Sequence, residues 1–186
     1  MMPSRRKSNP YQLVVGMAGA KLGDRVVQIG CAHGGRLAAI AAVVGLSGRA
    51  AAVVGDAAAA ARARKGAEQA GVFVEIEIAP LTKLPFDDGA FDLAVVDDTD
   101  GRFGAMAPQE RINVLGEAWR VLKPGGRTLV IGALPTTGLA ALLGRGSKAE
   151  PLDAEPVLAS AGFTLTRILG EREGLRFTEG GRKRAT

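Results

Sequence analysis

The sequence predicts an α/β protein in which a mostly parallel sheet is covered by helices on both faces. Short apolar segments alternate along the chain with longer helical ones, the order that βαβ units produce. The stretch "VVQIGCAHGGRL", residues 26–37, passes from an apolar run through a glycine-rich loop into a helical pattern. Turn signals such as "FDDGAFD" separate the segments.

Taken in order, a short helix precedes a first strand at Arg25–Ile29, and a helix opens at Arg36 beyond the glycine-rich loop. A second strand is expected at 50–54. Asp56 then stands before "AAAAARARKGAEQAG", where its carboxylate can cap an alanine-rich helix that Gly71 ends. Third and fourth strands are expected at 73–78 and 91–96. Pro108 opens a helix reaching Val121, and Lys123-Pro124-Gly125-Gly126 stops it and turns the chain into a fifth strand at 127–131. Residues 153–161 read as a helix, and "FTLTRIL" and "GLRFTEG" as two strands joined by the charged turn "GERE". Val26, Ile29, Val53, Val54, Leu93, Val95, Leu129 and Ile131 belong inside this sheet. Trp119 and Leu122 sit at helical spacing among apolar residues and belong to the core, and Cys31 reads as a small buried residue under the loop.

The 186 residues, 47% hydrophobic, suit one domain with its own core. It is expected at residues 11–180, between basic tails at 1–10 and 181–186. Arg5, Arg6, Lys7, Arg182, Lys183 and Arg184 carry six of the 24 basic charges, leaving 18 against 19 acidic residues, so the body is about neutral. With 4% aromatics there is no stacking surface beside those tails, and a nucleic-acid partner is not expected. One cysteine excludes an internal disulfide framework, and no apolar run approaches the roughly 18 to 20 residues of a membrane span. The expectation is a cytoplasmic protein without a secretory leader or a membrane partner.

Four segments, "VVQIGCAHGG", "LPFDDGAFDLAVV", "EAWRVLKPGGRTLVIG" and "ASAGF", stand in an order and spacing that resembles the class I S-adenosylmethionine-dependent methyltransferases. The chain is similar to the small-molecule branch of that family, which includes quinone-biosynthesis enzymes. The resemblance covers residues 11–180. It implies a three-layer Rossmann-like fold whose sheet has seven strands, one of them antiparallel, and S-adenosylmethionine as cofactor.

Ligands of open α/β sheets lie beyond the carboxyl ends of the strands, near the point where strand order switches. Gly30, Ala32 and Gly34 occupy the places of the family's three glycines, and the amides that open the following helix could receive the cofactor's carboxylate. A tight strand-to-helix turn that holds nothing is the alternative. The acids that the family sets around the cofactor are replaced: Gln28 stands on the first strand, Val54 closes the second, and Pro80 precedes "LPF". Gln28 and Asp56 are candidates for part of that polar role, with Leu81 beside them, although capping its helix is the preferred reading of Asp56.

Catalytic residues are harder to assign, because methyl transfer can proceed by alignment alone. "DDTDG" puts Asp97, Asp98 and Asp100 at the end of the fourth strand, where they could orient an acceptor hydroxyl or form a solvated loop. No carboxylate follows in "IGALPTTG", so a metal site is not expected. His33 is the single histidine and a further catalytic candidate. Three functions remain open: a methyltransferase acting on a small molecule, a methyltransferase-like protein that has lost the cofactor and serves as a partner or scaffold, and a relaxed dinucleotide-binding loop at Gly30, Ala32 and Gly35. The last requires an acid about 20 residues on, and Val54 with Asp56 fits it poorly. Residues 135–151 are expected to cover the site.

Overall fold

The computed structural model describes residues 10–135 and 152–184. All but Pro135 of the expected cover at 135–151, and the basic residues at positions 5–7, lie outside them. The elements are α1 Gln12–Ala18, β1 Arg25–Ile29, α2 Gly34–Val44, β2 Arg49–Val54, α3 Ala57–Ala70, β3 Glu75–Ile78, β4 Phe91–Asp98, α4 Pro108–Val121, β5 Leu122–Ala133, α5 Ala154–Ser160, β6 Leu165–Arg172 and β7 Leu175–Gly181.

Seven strands form one sheet in the order β3-β2-β1-β4-β5-β7-β6. All pairs are parallel except β5 with β7 and β7 with β6, so among the described residues β7 is the single antiparallel strand. From β1 the chain moves outward to β3 and returns to lay β4 on the other side of β1. That reversal makes the β1/β4 boundary the switch point.

Alternation along the strands distributes the core. Val27, Ile29, Ala94 and Val96 join α4 and α5 on one face, while Val26, Leu93 and Val95 join α1 and α2 on the other. Ala52 and Val54 pack with Leu37 of α2 and Ala59, Ala60 and Ala63 of α3. All eight residues expected inside the sheet are buried, as are Leu122 and Cys31. Trp119 packs on the core from a partly buried position.

Local chemistry sets the helix ends. Asp56 accepts the Ala59 amide at 2.7 Å as N-cap of α3, and Gly71 ends that helix with φ 65°. Helix α2 opens two residues earlier than expected because His33 is its N-cap, with Nδ1 accepting the Gly35 amide at 3.1 Å.

Several boundaries differ from the sequence expectation. Strand β5 begins at Leu122, so Lys123-Pro124-Gly125-Gly126 lies within it and not before it. A register shift opposite Phe91 and Leu93 absorbs the irregular residues, and Gly125 and Gly126 exchange backbone hydrogen bonds with Arg182. Phe73 lies outside β3, which starts where Glu75 pairs with Ala51, and it is 78% exposed. The last hairpin turns at Glu173-Gly174, both with positive φ; most of "GERE" belongs to β6, because a two-residue turn matches the twist of the strands it joins. Strand β4 extends to Asp98, which places two aspartates on a strand end.

Candidate functional site

Strand parity separates those two aspartates. Asp97 shares a face with Leu93 and Val95 and points to the glycine-rich loop, whereas Asp98 shares the opposite face with Ala94 and Val96 and points towards α4.

Asp97 is 5% exposed and binds the loop to β4. Its Oδ2 accepts the amides of Ala32 at 3.0 Å and His33 at 3.4 Å. Its Oδ1 accepts the Thr99 hydroxyl at 2.7 Å and pairs with Arg36 at 3.3 Å. Of the amides expected to receive a cofactor carboxylate at the start of α2, that of Gly35 is committed to the His33 ring and that of Arg36 to the His33 carbonyl, and the loop amides of Ala32 and His33 before them are held by Asp97. Asp98 accepts the Phe103 and Gly104 amides at 2.8 and 3.0 Å, folding the segment after β4 back on the strand end. Burial raises its carboxyl to about 6.

A cleft of about 300 Å³ opens beyond the carboxyl ends of the first four strands, within the size range of small-molecule sites. Gly30 and Cys31 line it after β1, Gly55 and Asp56 after β2, Pro80 and Leu81 after β3, and Asp97, Asp100, Arg102 and Phe103 around and after the end of β4. Arg62 of α3 and Met106 and Glu110 at the start of α4 complete the wall. Gly30 has φ 76°, a conformation that opens the loop at little cost only for glycine. Asp56 faces the cleft as well as capping α3, and Arg102 reaches across to pair with it at 2.6 Å. The Ala59 amide and then Arg102 hold the Asp56 carboxyl below the ordinary aspartate range.

Of the sequence candidates, Gly30, Asp56, Leu81 and Asp97 meet at this cleft. Gln28, Ala32, His33, Gly34 and Asp98 are not among its lining residues. Gln28 is 2% exposed beneath the loop, and its Nε2 donates to the Gly30 carbonyl at 3.0 Å. Ala32 is engaged through its amide. His33 caps α2 and stacks at a tilt on Tyr11, with centroids 5.5 Å apart. Gly34 sits where α2 meets α3: a Cβ there would come within 2.1 Å of the Arg62 carbonyl oxygen. Cys31 lines the cleft as a buried thiol, pushed up to about 11 by burial and then by Asp97, and so is poorly suited to act as a nucleophile. Among the described residues no three His, Cys, Asp or Glu side chains gather as a metal site, and no helix is long and apolar enough to cross a membrane.

Sequence reasoning missed Gly55, Arg62, Arg102, Phe103 and Met106. Gly66 carried a usable signal for Arg62, because a glycine inside a helix is costly unless another backbone presses on it.

The residues present fit the nucleoside part of S-adenosylmethionine. Gly55 lines the cleft, and a Cβ built there would meet nothing within 4 Å, so the wall is cut back where a bulky ligand can enter. Pro80, Leu81, Phe103 and Met106 supply apolar surface, and Asp56 supplies a carboxylate acceptor.

Comparison with known proteins agrees with this geometry. Residues 26–126, more than half of the chain, match the family described as "Methyltransferase domain". The chain belongs to that family, and its fold is that of the class I S-adenosylmethionine-dependent methyltransferases. Over 58 residues it is 40% identical to a ubiquinone/menaquinone biosynthesis C-methyltransferase of Geobacter sp., a match covering 31% of this chain and 23% of that protein. Over 69 residues it is 41% identical to a demethylmenaquinone methyltransferase of Thermus thermophilus, covering 37% and 29%. The matched regions thus span less than a third of either relative. A solved structure, a SAM-dependent methyltransferase from Aquifex aeolicus, superposes with a TM-score of 0.73 at 18% identity, over 97% of this chain and 93% of that one.

Proposed function

We propose that this protein is an S-adenosylmethionine-dependent methyltransferase acting on a small molecule. The observation that carries the reading is the cleft at the β1/β4 switch point, walled by loops from four consecutive strands. The cofactor supplies an electrophilic sulfonium methyl. Gly30 and Cys31 offer their backbone to the ligand, Gly55 leaves room for it, and Leu81 packs against its apolar surface. Asp56 accepts a hydroxyl once it parts from Arg102, an exposed pair that costs little to separate. Asp100 and Glu110, on the β4 and α4 side of the cleft, are placed to orient an acceptor or take its proton. Asp97 acts indirectly, by fixing the loop. The partial likeness to quinone-biosynthesis enzymes favours a small aromatic acceptor.

Calorimetric titration of the purified protein with S-adenosylmethionine and S-adenosylhomocysteine tests the reading. Saturable binding of both is expected, in the micromolar range or weaker, because two or three charge-assisted hydrogen bonds are lost at Gln28, Val54 and Pro80. Absence of binding by either would replace this reading with that of a non-catalytic methyltransferase-like protein.

A further inference from the structure

We infer that Arg62 is the anion-receiving residue of the cleft and takes the charged end of the nucleoside ligand, an inference that rests on the proposed function. Among the described residues, two arginines line the cavity. Arg102 is committed to Asp56 at 2.6 Å and Asp100 at 3.4 Å. Arg36, behind the loop, is committed to Asp97. Arg62 makes one hydrogen bond, from Nε to the Cys31 carbonyl at 3.1 Å. Among the described residues no carboxylate pairs with it, and its two terminal nitrogens have no hydrogen-bond partner.

The placement follows from helix packing. Gly34 of α2 and Gly66 of α3 approach so closely that a Cβ on either would lie under 2.5 Å from the other helix's backbone. This contact brings α3 against the glycine-rich loop, and the Cys31 bond then fixes the guanidinium plane at the loop's edge. Because the guanidinium is rigid, one anchored nitrogen orients the remaining donors. Of the amides that commonly receive an anion at such a loop, those of Ala32 and His33 already serve Asp97 and that of Gly35 the His33 ring. Pro80, uncharged where the family sets an acid, lines the same cleft as Arg62, and Asp56, which feels the Arg62 charge, is paired with Arg102. Among the described residues, an arriving anion therefore meets one charged donor without an ion pair, Arg62. The chemistry recognised is a carboxylate, as at the amino-acid end of S-adenosylmethionine, or a phosphate on a nucleotide.

The test compares three ligands by calorimetry: S-adenosylhomocysteine with its carboxylate, 5′-AMP with its phosphate, and 5′-methylthioadenosine with no anion. The wild type is expected to bind S-adenosylhomocysteine at least about tenfold more tightly than methylthioadenosine, in line with one charge-assisted hydrogen-bonded pair. Arg62→Met should remove that advantage while changing methylthioadenosine affinity far less, with a fall in melting temperature of no more than a few degrees from the lost Cys31 hydrogen bond, and Arg62→Lys should keep part of it. Equal wild-type affinity for those two ligands, or an equal loss for both in Arg62→Met, overturns the role of Arg62 and leaves the methyltransferase reading standing. Tighter binding of AMP than of S-adenosylhomocysteine, lost in Arg62→Met, upholds the anion site and overturns the methyl-donor reading. No binding of any of the three overturns both.

Discussion

Adjacent residues of one sequence motif do separate work here. In "DDTDG" the first aspartate is a clamp and the second a turn former, because successive side chains on a strand point to opposite faces. Burial of Asp98 carries a pH signature. Its carboxyl ionises near 6 in the folded protein, against about 3.9 in an unfolded chain. Between those values the folded state keeps a proton that the unfolded state has lost. Asp98 therefore makes the protein less stable as pH rises from about 4 to 6, with no further change above that. Asp98→Asn keeps an oxygen for the Phe103 and Gly104 amides and removes the ionisation. Urea unfolding at pH 4.5, 5.5 and 7 should show the variant gaining on the wild type as pH rises, by about 1 to 2 kcal/mol across the range once partial solvation is allowed for. A constant difference between the two would show that burial of this carboxylate is not what shifts it.

Among the elements, the contact between α2 and α3 matters most to the site. Gly34 looks, in sequence, like a ligand-facing glycine of the loop, yet it serves a meeting of two backbones. A Cβ there would come within 2.1 Å of the Arg62 oxygen, and one at Gly66 within 2.3 Å of Gly34. Neither opposing atom is a side chain that can rotate away. Gly34→Ala should therefore part the helices and destabilise the fold by about 2 kcal/mol or more, with a fall in melting temperature on the order of 5 °C. Gly16→Ala is the control: that glycine lies inside α1 with nothing within 4 Å of a built Cβ, so its melting temperature should hold or rise slightly. If both variants melt alike, the backbone contact is not tight.

At the scale of the whole molecule, the cleft exists because four loops end at one edge of the sheet. Gly55→Val projects into that space from a position where a Cβ meets nothing within 4 Å. Its backbone is not in the left-handed region, so valine is tolerated there. The variant should melt with the wild type and lose nucleoside binding by about tenfold or more, the loss expected when one bulky group excludes a well-packed ligand. Unimpaired binding would put the nucleoside elsewhere.

The sequence by itself determined the sheet, its core and most helix ends. Alternation of apolar segments, the Asp56 cap and the Gly71 stop are local signals that survive folding unchanged, because each rests on a few neighbouring residues. The site was only partly legible. Gly30, Asp56, Leu81 and Asp97 reach the cleft as expected, since strand ends and their loops converge wherever a parallel sheet forms. Gly34 was drawn away by the Arg62 backbone of the next helix, whereas Gln28, His33 and Asp98 turned to backbone groups close by in sequence that the loop's own folding presents to them. Arg62 and Arg102 were brought in by Cys31 and Asp56, both distant in sequence. Which partner takes a buried hydrogen bond depends on what packing sets opposite it, so only the tertiary structure decided which loop amides are committed and which arginine at the cleft forms no ion pair among the described residues.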